Sequence, residues 1–202
     1  MSIPTQAILD CWFGNSAEQP QTIPKVSGKW FVADEQFDQQ LRDQFEAALM
    51  QAAADADWNG SDIHERLARI LLLDQVSRNI YRGTPRAFAT DALALKLCQD
   101  AIESGDDTRL TPIERSFLAM PLQHAEDREI QKLSVSYFSH LVATARHPAE
   151  ETKLRANADY AQQHADIVQR FGRYPHRNKL LGRESSEEEQ RYLNEGAPRF
   201  GQ

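Results

Sequence analysis

The sequence predicts an all-α protein, and three observations support this prediction. Apolar residues recur every three or four positions, most regularly at Phe37, Leu41, Phe45 and Leu49, which is the spacing of one face of an α-helix. Helix-capping residues stand at the starts of several such segments. Runs that alternate apolar and polar residues, typical of β-strands, do not occur. We expect about eight helices, joined by short turns and packed as antiparallel pairs in a bundle or a short solenoid.

The first quarter of the chain contains two predicted helices with a loop between them. Residues 3–13 place their apolar side chains on one side of a short helix, which Gly14 can end because glycine readily adopts the left-handed conformation. Residues 14–29 are expected to form a loop. Asp34 is a suitable N-cap for the second helix, whose apolar stripe continues to Ala52.

Two more helices follow before residue 105, and each has a candidate cap. Ser61 or Asp62 can cap a helix that extends to about Asn79. Thr90 or Asp91 can cap the next one. Both segments keep the spacing of an amphipathic helix, so we expect them to face a common core.

Residues 111–114 carry the most specific local signal in the chain. A threonine cap, a proline at the first helical position and a glutamate three residues after the cap form a capping box, so a helix should begin at Pro112. Pro121 should bend or stop that helix, since proline lacks the amide hydrogen and crowds the preceding turn. Residues 130–141 have the pattern of the next helix.

The last third contains two predicted helices. His147 and Pro148 separate the preceding helix from a long one that Gly172 terminates. Its apolar register consists of Leu154, Ala158, Ala161, Ala165 and Val168. Ser185 and Glu188 form a second capping box, and the final helix is expected to stop near Gly196.

Composition excludes several classes of protein. The 202 residues can bury the core of one domain, and we expect a single all-helical domain over residues 1–202. A formal net charge of -7 argues against a nucleic-acid partner, because such binding depends on many lysine and arginine contacts. The chain shows neither a secretory signal nor a membrane span, so we expect a cytoplasmic protein with reduced cysteines. The oligomeric state is left open.

The first of three polar clusters follows a run of leucines. Asp74 and Arg78 are four residues apart, as are Gln75 and Asn79, so each pair shares a helix face. One interpretation is a buried ion pair that fixes how two helices cross, because a buried carboxylate needs a partner. The other is that Arg78 or Arg82 enters a pocket while Asp74 orients it. The two interpretations are compatible.

The second cluster is His124, Glu126 and Asp127, just after Pro121. These residue types can bind metals, but no sequential ligand pair accompanies them, so no metal site is predicted. A histidine beside carboxylates can act as an acid or a base. Alternatively, the group is solvated charge and Asp127 is the cap of the next helix.

The third cluster lies in residues 164–182, which carry four lysine and arginine side chains against one aspartate. Arg173, His176, Arg177 and Asn178 crowd its turn. Guanidinium groups hold carboxylate or phosphate in two-point contact, so an anion-binding site is expected. The alternative is a solvated face next to an ordinary turn at Tyr174.

Three stretches of sequence also resemble a known family. They are LLLDQVSRNIYRGTPRAFATD at residues 71–91, PLQHAED at 121–127 and HADIVQRFGRYPHRNKLLGRESSEEE at 164–189. Together with CWFG and KWF near the start, they resemble a bacterial family catalogued as domain of unknown function nine hundred and twenty-four. Val76 replaces the family's usual phenylalanine and Ala125 its usual serine, which weakens any role for that hydroxyl. The resemblance implies a tetratricopeptide-like helical fold and no particular activity.

Two functional hypotheses follow. In the first, the three clusters converge on a pocket for a small anionic metabolite that carries phosphate or carboxylate, with acid/base chemistry if a reaction occurs. In the second, an inner helical face clamps an acidic peptide or a protein terminus, as helical repeats do. A deep, small pocket would favour the metabolite and a long open groove the peptide. RNA recognition through the arginines is disfavoured by the acidic composition.

The first hypothesis assigns a role to each residue, with no cofactor and no metal. His124 and His176 are the candidate acid or base. The candidate ligand-binding residues are Arg78, Asn79, Arg82, Arg173, Arg177 and Asn178. The residues expected to support them from behind are Asp74, Gln75, Glu126, Asp127 and His164.

Overall fold

The computed structural model describes residues 3–198, and within that range it is all-α, without a β-strand. This confirms the fold class. The helices are α1 (Thr5–Phe13), α2 (Ile23–Val26), α3 (Glu35–Ala54), α4 (Ile63–Ile70), α5 (Ser77–Ile80), α6 (Asp91–Ser104), α7 (Pro112–Leu118), α8 (Met120–His124), α9 (Arg128–Val142), α10 (Pro148–Phe171) and α11 (Glu187–Asn194). The tetratricopeptide-like arrangement stays a prediction.

Helices α4 and α5 are joined without a turn by a π-helical segment, Leu71–Val76. A π-helix closes its hydrogen bonds over five residues instead of four, so it rotates the side chains that follow relative to an uninterrupted α-helix. All six side chains of this segment are buried, and it packs against α3, α4 and α6. The segment therefore carries Asp74 into the interior of the protein.

Helices α9 and α10 are connected by residues 143–147 and pack along each other. A connection this short makes consecutive helices antiparallel neighbours. Helix α10 also contacts α7 and α8, so one of its faces packs against these two helices. Three of the seven residues that line the cavity described below come from α10.

The main core extends from α1 to α10, with a smaller cluster of Ile167, Val168 and Tyr174 next to Phe171 and Tyr192. Its centre is aromatic: the ring of Phe117 meets those of Trp12 and Trp30 edge to face, at centroid distances of 5.7 and 4.8 Å. Phe31 stacks on the same ring at 6.0 Å. This places Phe31, which is 42% exposed, at the edge of the core.

Most helix starts agree with the sequence. The carboxylates of Asp34 and Asp62 accept hydrogen bonds from the first backbone amides of α3 and α4. Residues 111–114 form the predicted capping box at α7. Gly172 ends α10 with a φ of 72°, in the left-handed region.

Some boundaries were predicted wrongly in detail. Residues 14–29 contain α2 and two short 3-10 turns besides loop. At Pro121 the structure agrees with the expectation that the helix from Pro112 bends or stops: α7 ends at Leu118, and Pro121 lies in the first turn of α8, where its missing amide hydrogen costs no helical bond.

Two predicted caps were also wrong. The hydroxyl of Thr90 donates to the backbone oxygen of Leu73 at 2.6 Å instead of capping α6. The second capping box is Ser186 with Glu189, one residue later than Ser185 with Glu188, and Ser185 instead accepts a hydrogen bond from Asn178.

The apolar register of α10 is shifted as well. Its buried residues include Leu154, Asn157, Ala161, His164 and Val168, whereas Ala158 and Ala165 are only partly buried. Two polar residues thus occupy positions of the buried stripe.

Across residues 3–198, no helix combines the length and the apolar character that a membrane span requires.

Candidate functional site

Asp74 is the centre of a buried polar network. The side chain has no exposed surface, and a carboxylate in that position must be fully hydrogen-bonded. Its Oδ2 accepts a hydrogen bond from Gln75 Nε2 at 2.6 Å, and its Oδ1 lies 3.1 Å from Arg78 Nη1 and 2.7 Å from His124 Nδ1. Burial raises the pKa of Asp74, but Arg78, His124 and Gln75 together bring it well below its usual range. The carboxylate is therefore ionised at neutral pH.

His124, the last residue of α8, is oriented by that carboxylate. Because Asp74 can only accept, His124 Nδ1 carries the proton, and Nε2 holds a lone pair. Within residues 3–198, Nε2 has no hydrogen-bond partner. Burial and the charge of Arg78 lower the pKa of His124, against the opposing effect of Asp74, so the ring is neutral at pH 7. This is the arrangement of a general base held by a carboxylate.

His124 lines a small cavity of about 160 Å³. The other residues of its wall are Phe31, Met120, Gln123, Asn157, Tyr160 and His164. Asn157 is buried, and its Nδ2 has no hydrogen-bond partner in the described part of the chain. An unpaired buried donor costs free energy, so this atom is suited to bind an acceptor that enters the cavity.

His164 faces the ring of His124, with 6.1 Å between their centroids. Its Nδ1–H donates to the backbone oxygen of Tyr160 at 2.7 Å, since a carbonyl oxygen can only accept. Burial, with His124 nearby, lowers the pKa of His164 to about 3. Both imidazoles at the cavity are therefore neutral at physiological pH.

His124 also lines a second, more open depression of about 380 Å³. Its wall is partly apolar, through Phe88, Leu95 and Leu181, and partly acidic, through Asp91, Glu126 and Asp127. Arg177 lies in the same wall. The two concavities therefore meet at a single imidazole.

Arg177, predicted to bind a ligand, lies in the wall of the open depression next to His124. Its Nη1 donates to the backbone oxygen of His124 at 3.1 Å and lies 3.4 Å from Asp91 Oδ2. Its guanidinium lies 4.7 Å from the ring centroid of Phe88 and 4.5 Å from that of Tyr174. Its Nε is buried without a partner among the described residues. Arg177 thus supports the backbone of His124.

Arg78 is also brought to the network, but its guanidinium is occupied. Besides Asp74, it donates to both carboxylate oxygens of Asp91, at 2.9 and 2.8 Å. The predicted ion pair between Asp74 and Arg78 is confirmed. Asp91, which the sequence suggested only as a helix cap, connects Arg78 to Arg177.

The remaining predicted ligand residues are not brought to either concavity. Asn79 and Arg82 both donate to Asp38 on α3, at 2.9 Å. Gln75 and Asn79, predicted to share a face, donate to different partners, Asp74 and Asp38.

The turn after α10 is held by ion pairs of its own. Arg173 donates to both carboxylate oxygens of Glu189, at 2.7 and 2.8 Å, and Asn178 donates to Ser185. Glu126 accepts from the backbone amide of Tyr174 at 2.8 Å. These contacts anchor the turn to α11 and to the connection between α8 and α9.

Two more predicted residues have positions outside the cavity wall. The ring of His176 lies 5.6 Å from that of Tyr174, and burial together with Arg177 lowers its pKa to about 3. Asp127 caps α9, accepting from the amides of Glu129 and Ile130.

Within residues 3–198, no group of three or more metal-ligating side chains lies close enough to hold a metal ion.

No role was predicted for Phe31, Asn157 and Tyr160, which also line the cavity. A signal was available for Asn157. Leu154, Asn157, Ala161, His164 and Val168 follow a strict three-four spacing, so two polar residues interrupt a buried stripe. Polar groups at such positions are kept only where they find partners or perform a function.

Comparison with known proteins gives a family but no activity. A family model described as bacterial protein of unknown function (DUF924) matches residues 8–197. The solved structure of a protein of unknown function, ATU0120, from Agrobacterium tumefaciens is similar, with 34% sequence identity and a TM-score of 0.75 over 95% of this chain and 97% of that one. None of the curated proteins matches. The chain belongs to the bacterial family of unknown function DUF924.

Proposed function

We propose that this protein binds a small, anionic metabolite in the 160 Å³ cavity, with His124 as the acid or base and Asp74 as the residue that orients it. The observation that carries the proposal is the state of the His124 ring. Its Nδ1 is bound to a fully buried carboxylate, while its Nε2 is left without a partner in a cavity wall. Nε2 is therefore available to accept a hydrogen bond from a ligand in the cavity.

The size of the cavity supports a small ligand. A cavity of about 150 Å³ is known to accommodate benzene, so a space of this size holds about six to ten non-hydrogen atoms. Longer ligands would have to extend past Phe31 and Tyr160, which are exposed at the edge. A metabolite therefore fits this space better than a peptide.

The charges around the cavity support an anionic ligand. Among the described residues, no carboxylate belongs to its wall. Arg78 contacts the same oxygen of Asp74 as His124 does, and Arg177 contacts the His124 backbone. The predicted arginine clamp is absent from this wall, so recognition rests on the amide of Asn157 and on the imidazoles.

The alternative, binding of a peptide or a protein segment, would use the 380 Å³ depression. The apolar side chains of Phe88, Leu95 and Leu181 favour it. Its three carboxylates do not suit an acidic peptide, because like charges would be brought together. A segment bound there would be apolar or basic.

A thermal-shift screen against carboxylated and phosphorylated metabolites tests the proposal. A ligand at about 100 times its dissociation constant adds about 2.7 kcal/mol of stability. For a chain of this length, that raises the melting temperature by about 5–11 °C. We expect the shift to disappear in His124→Gln and to persist in the control His140→Gln, whose ring is exposed on α9. A shift that survives in His124→Gln would contradict the proposal.

A further inference from the structure

Lys153 is a cation near the cavity that has no carboxylate partner in the described part of the chain. Its Nζ lies 4.4 Å from the ring centroid of Phe31 and 5.6 Å from that of Trp30. Phe31 is itself part of the cavity wall. The ammonium group therefore lies beside the edge of the cavity, on aromatic rings that attract a cation.

Helix α10 brings Lys153 and the cavity together. Lys153, Asn157, Tyr160 and His164 are spaced by four, three and four residues, which places them along one face of the helix. The last three of them line the cavity. Lys153 thus continues the same polar row by one turn, towards Phe31.

The lack of an anionic partner is not explained by a shortage of acidic residues nearby. Glu150 and Glu151 precede Lys153 by one turn or less, and they are engaged by Arg146 and Arg155, at 2.9 and 2.6 Å. Burial lowers the pKa of Lys153 to about 8. A partly buried ammonium gains from an anion brought to it, because water screens the pair less there.

Three different polar groups are thus available in or beside the cavity. The ammonium of Lys153 lies beside Phe31 at the edge, while the wall includes Asn157, with its unpaired amide donor, and His124, with the lone pair of Nε2. The first two suit a carboxylate, which accepts hydrogen bonds only. The third suits a hydroxyl group, which can donate its proton to the imidazole.

We propose that Lys153 and Asn157 bind the carboxylate of the ligand while His124 accepts a hydrogen bond from its hydroxyl group, so that the ligand class is a short hydroxycarboxylic acid. This inference rests on the proposed function of the cavity and makes its ligand specific. Lys153 becomes a binding residue that neither the sequence motifs nor the family relationship indicates.

The test is a titration followed by the imidazole NMR signal of His124. The probes are glycolate, lactate and glycerate, each compared with its neutral amide, up to about 100 mM, since single charged contacts on small ligands give millimolar affinity. We expect the hydroxyacids to bind at least about tenfold more tightly than the amides. Lys153→Met keeps the apolar stem on the two rings and removes the charge, and it should remove this preference. Lys153→Arg should restore part of it.

The control variant is Lys132→Met, which removes an exposed lysine paired with Glu129 on α9 and should leave all affinities unchanged. If the hydroxyacids move the His124 signal equally in wild type and Lys153→Met, the role of Lys153 is overturned and the cavity proposal stands. If neither acids nor amides move the His124 signal in the wild type, the hydroxyacid assignment is overturned, and the thermal-shift screen with carboxylated and phosphorylated metabolites decides the cavity proposal separately.

Discussion

Replacing Asp74 by alanine should destabilise the protein strongly, because it removes the acceptor at the centre of the buried network. Gln75 Nε2 and His124 Nδ1 would lose the carboxylate that accepts their hydrogen bonds, at 2.6 and 2.7 Å, and Arg78 would lose one of its two ion-pair partners. Removing one member of a buried ion pair costs about 3–5 kcal/mol, since the other charge stays buried.

The magnitude should lie at the lower end of that range. Arg78 retains its two hydrogen bonds to Asp91, at 2.9 and 2.8 Å, so its charge is not left uncompensated. We therefore expect a loss of about 3 kcal/mol in the free energy of unfolding. For a chain of this length, the melting temperature would fall by about 6–12 °C.

Urea unfolding of Asp74→Ala, with Asp100→Ala as the matched control, measures this loss. Asp100 also pairs with a residue four positions away, Lys96, at 2.8 Å, but both side chains are largely exposed. Such surface pairs contribute at most about 1 kcal/mol. A loss for Asp74→Ala that is no larger than that for Asp100→Ala would refute the description of Asp74 as the buried centre of the network.

Two further predictions concern stability. Burial, with His124 nearby, lowers the pKa of His164 from its usual 6.5 to about 3. Below pH 6.5 the unfolded chain therefore binds more protons than the folded one. The free energy of unfolding should fall as the pH decreases from 6.5 towards 3. His164→Gln should flatten this dependence by up to about 1.4 kcal/mol per pH unit in urea unfolding from pH 7 to 4.5, and an unchanged slope would be the contrary result. Gly172→Ala should cost about 1 kcal/mol, because its φ of 72° is strained for a residue with a Cβ, whereas Gly28→Ala, at a position without positive φ or close neighbours, should not destabilise. Equal unfolding free energies for the two glycine variants would contradict this account of the end of α10.

The sequence was most informative where the deciding interaction is local. Asp34, Asp62 and the capping box at residues 111–114 each act on amides within three positions, and Gly172 acts on its own backbone. The pair Asp74 and Arg78 could be predicted for the same reason, since four residues along a helix is contact distance.

Partners far apart in the chain could not be predicted from spacing. Arg82 reaches Asp38 across 44 positions, and Arg177 reaches Asp91 across 86. Both arginines were predicted to bind an anionic ligand. Because their partners are carboxylates of this chain, they are instead engaged within the protein. The π-helical segment was equally hidden, since its sequence has the apolar content of an ordinary helix.

Lys153 illustrates the opposite case, in which the functional interest comes from a missing partner. A lysine on a long helix is ordinarily solvated or paired. Only the packing of Trp30 and Phe31 against α10 shows that this one is partly buried beside a cavity.

The protonation state of His124 is the most direct test of the central claim that Asp74 presents an unprotonated Nε2 to the cavity. Nitrogen-15 NMR of the labelled imidazole distinguishes the two neutral tautomers and the charged ring. We predict the tautomer with the proton on Nδ1 at pH 7 and a pKa below 6.5 for wild type, because burial and Arg78 disfavour the charged ring. A ring that is charged at pH 7, or one that carries its proton on Nε2, would contradict the claim.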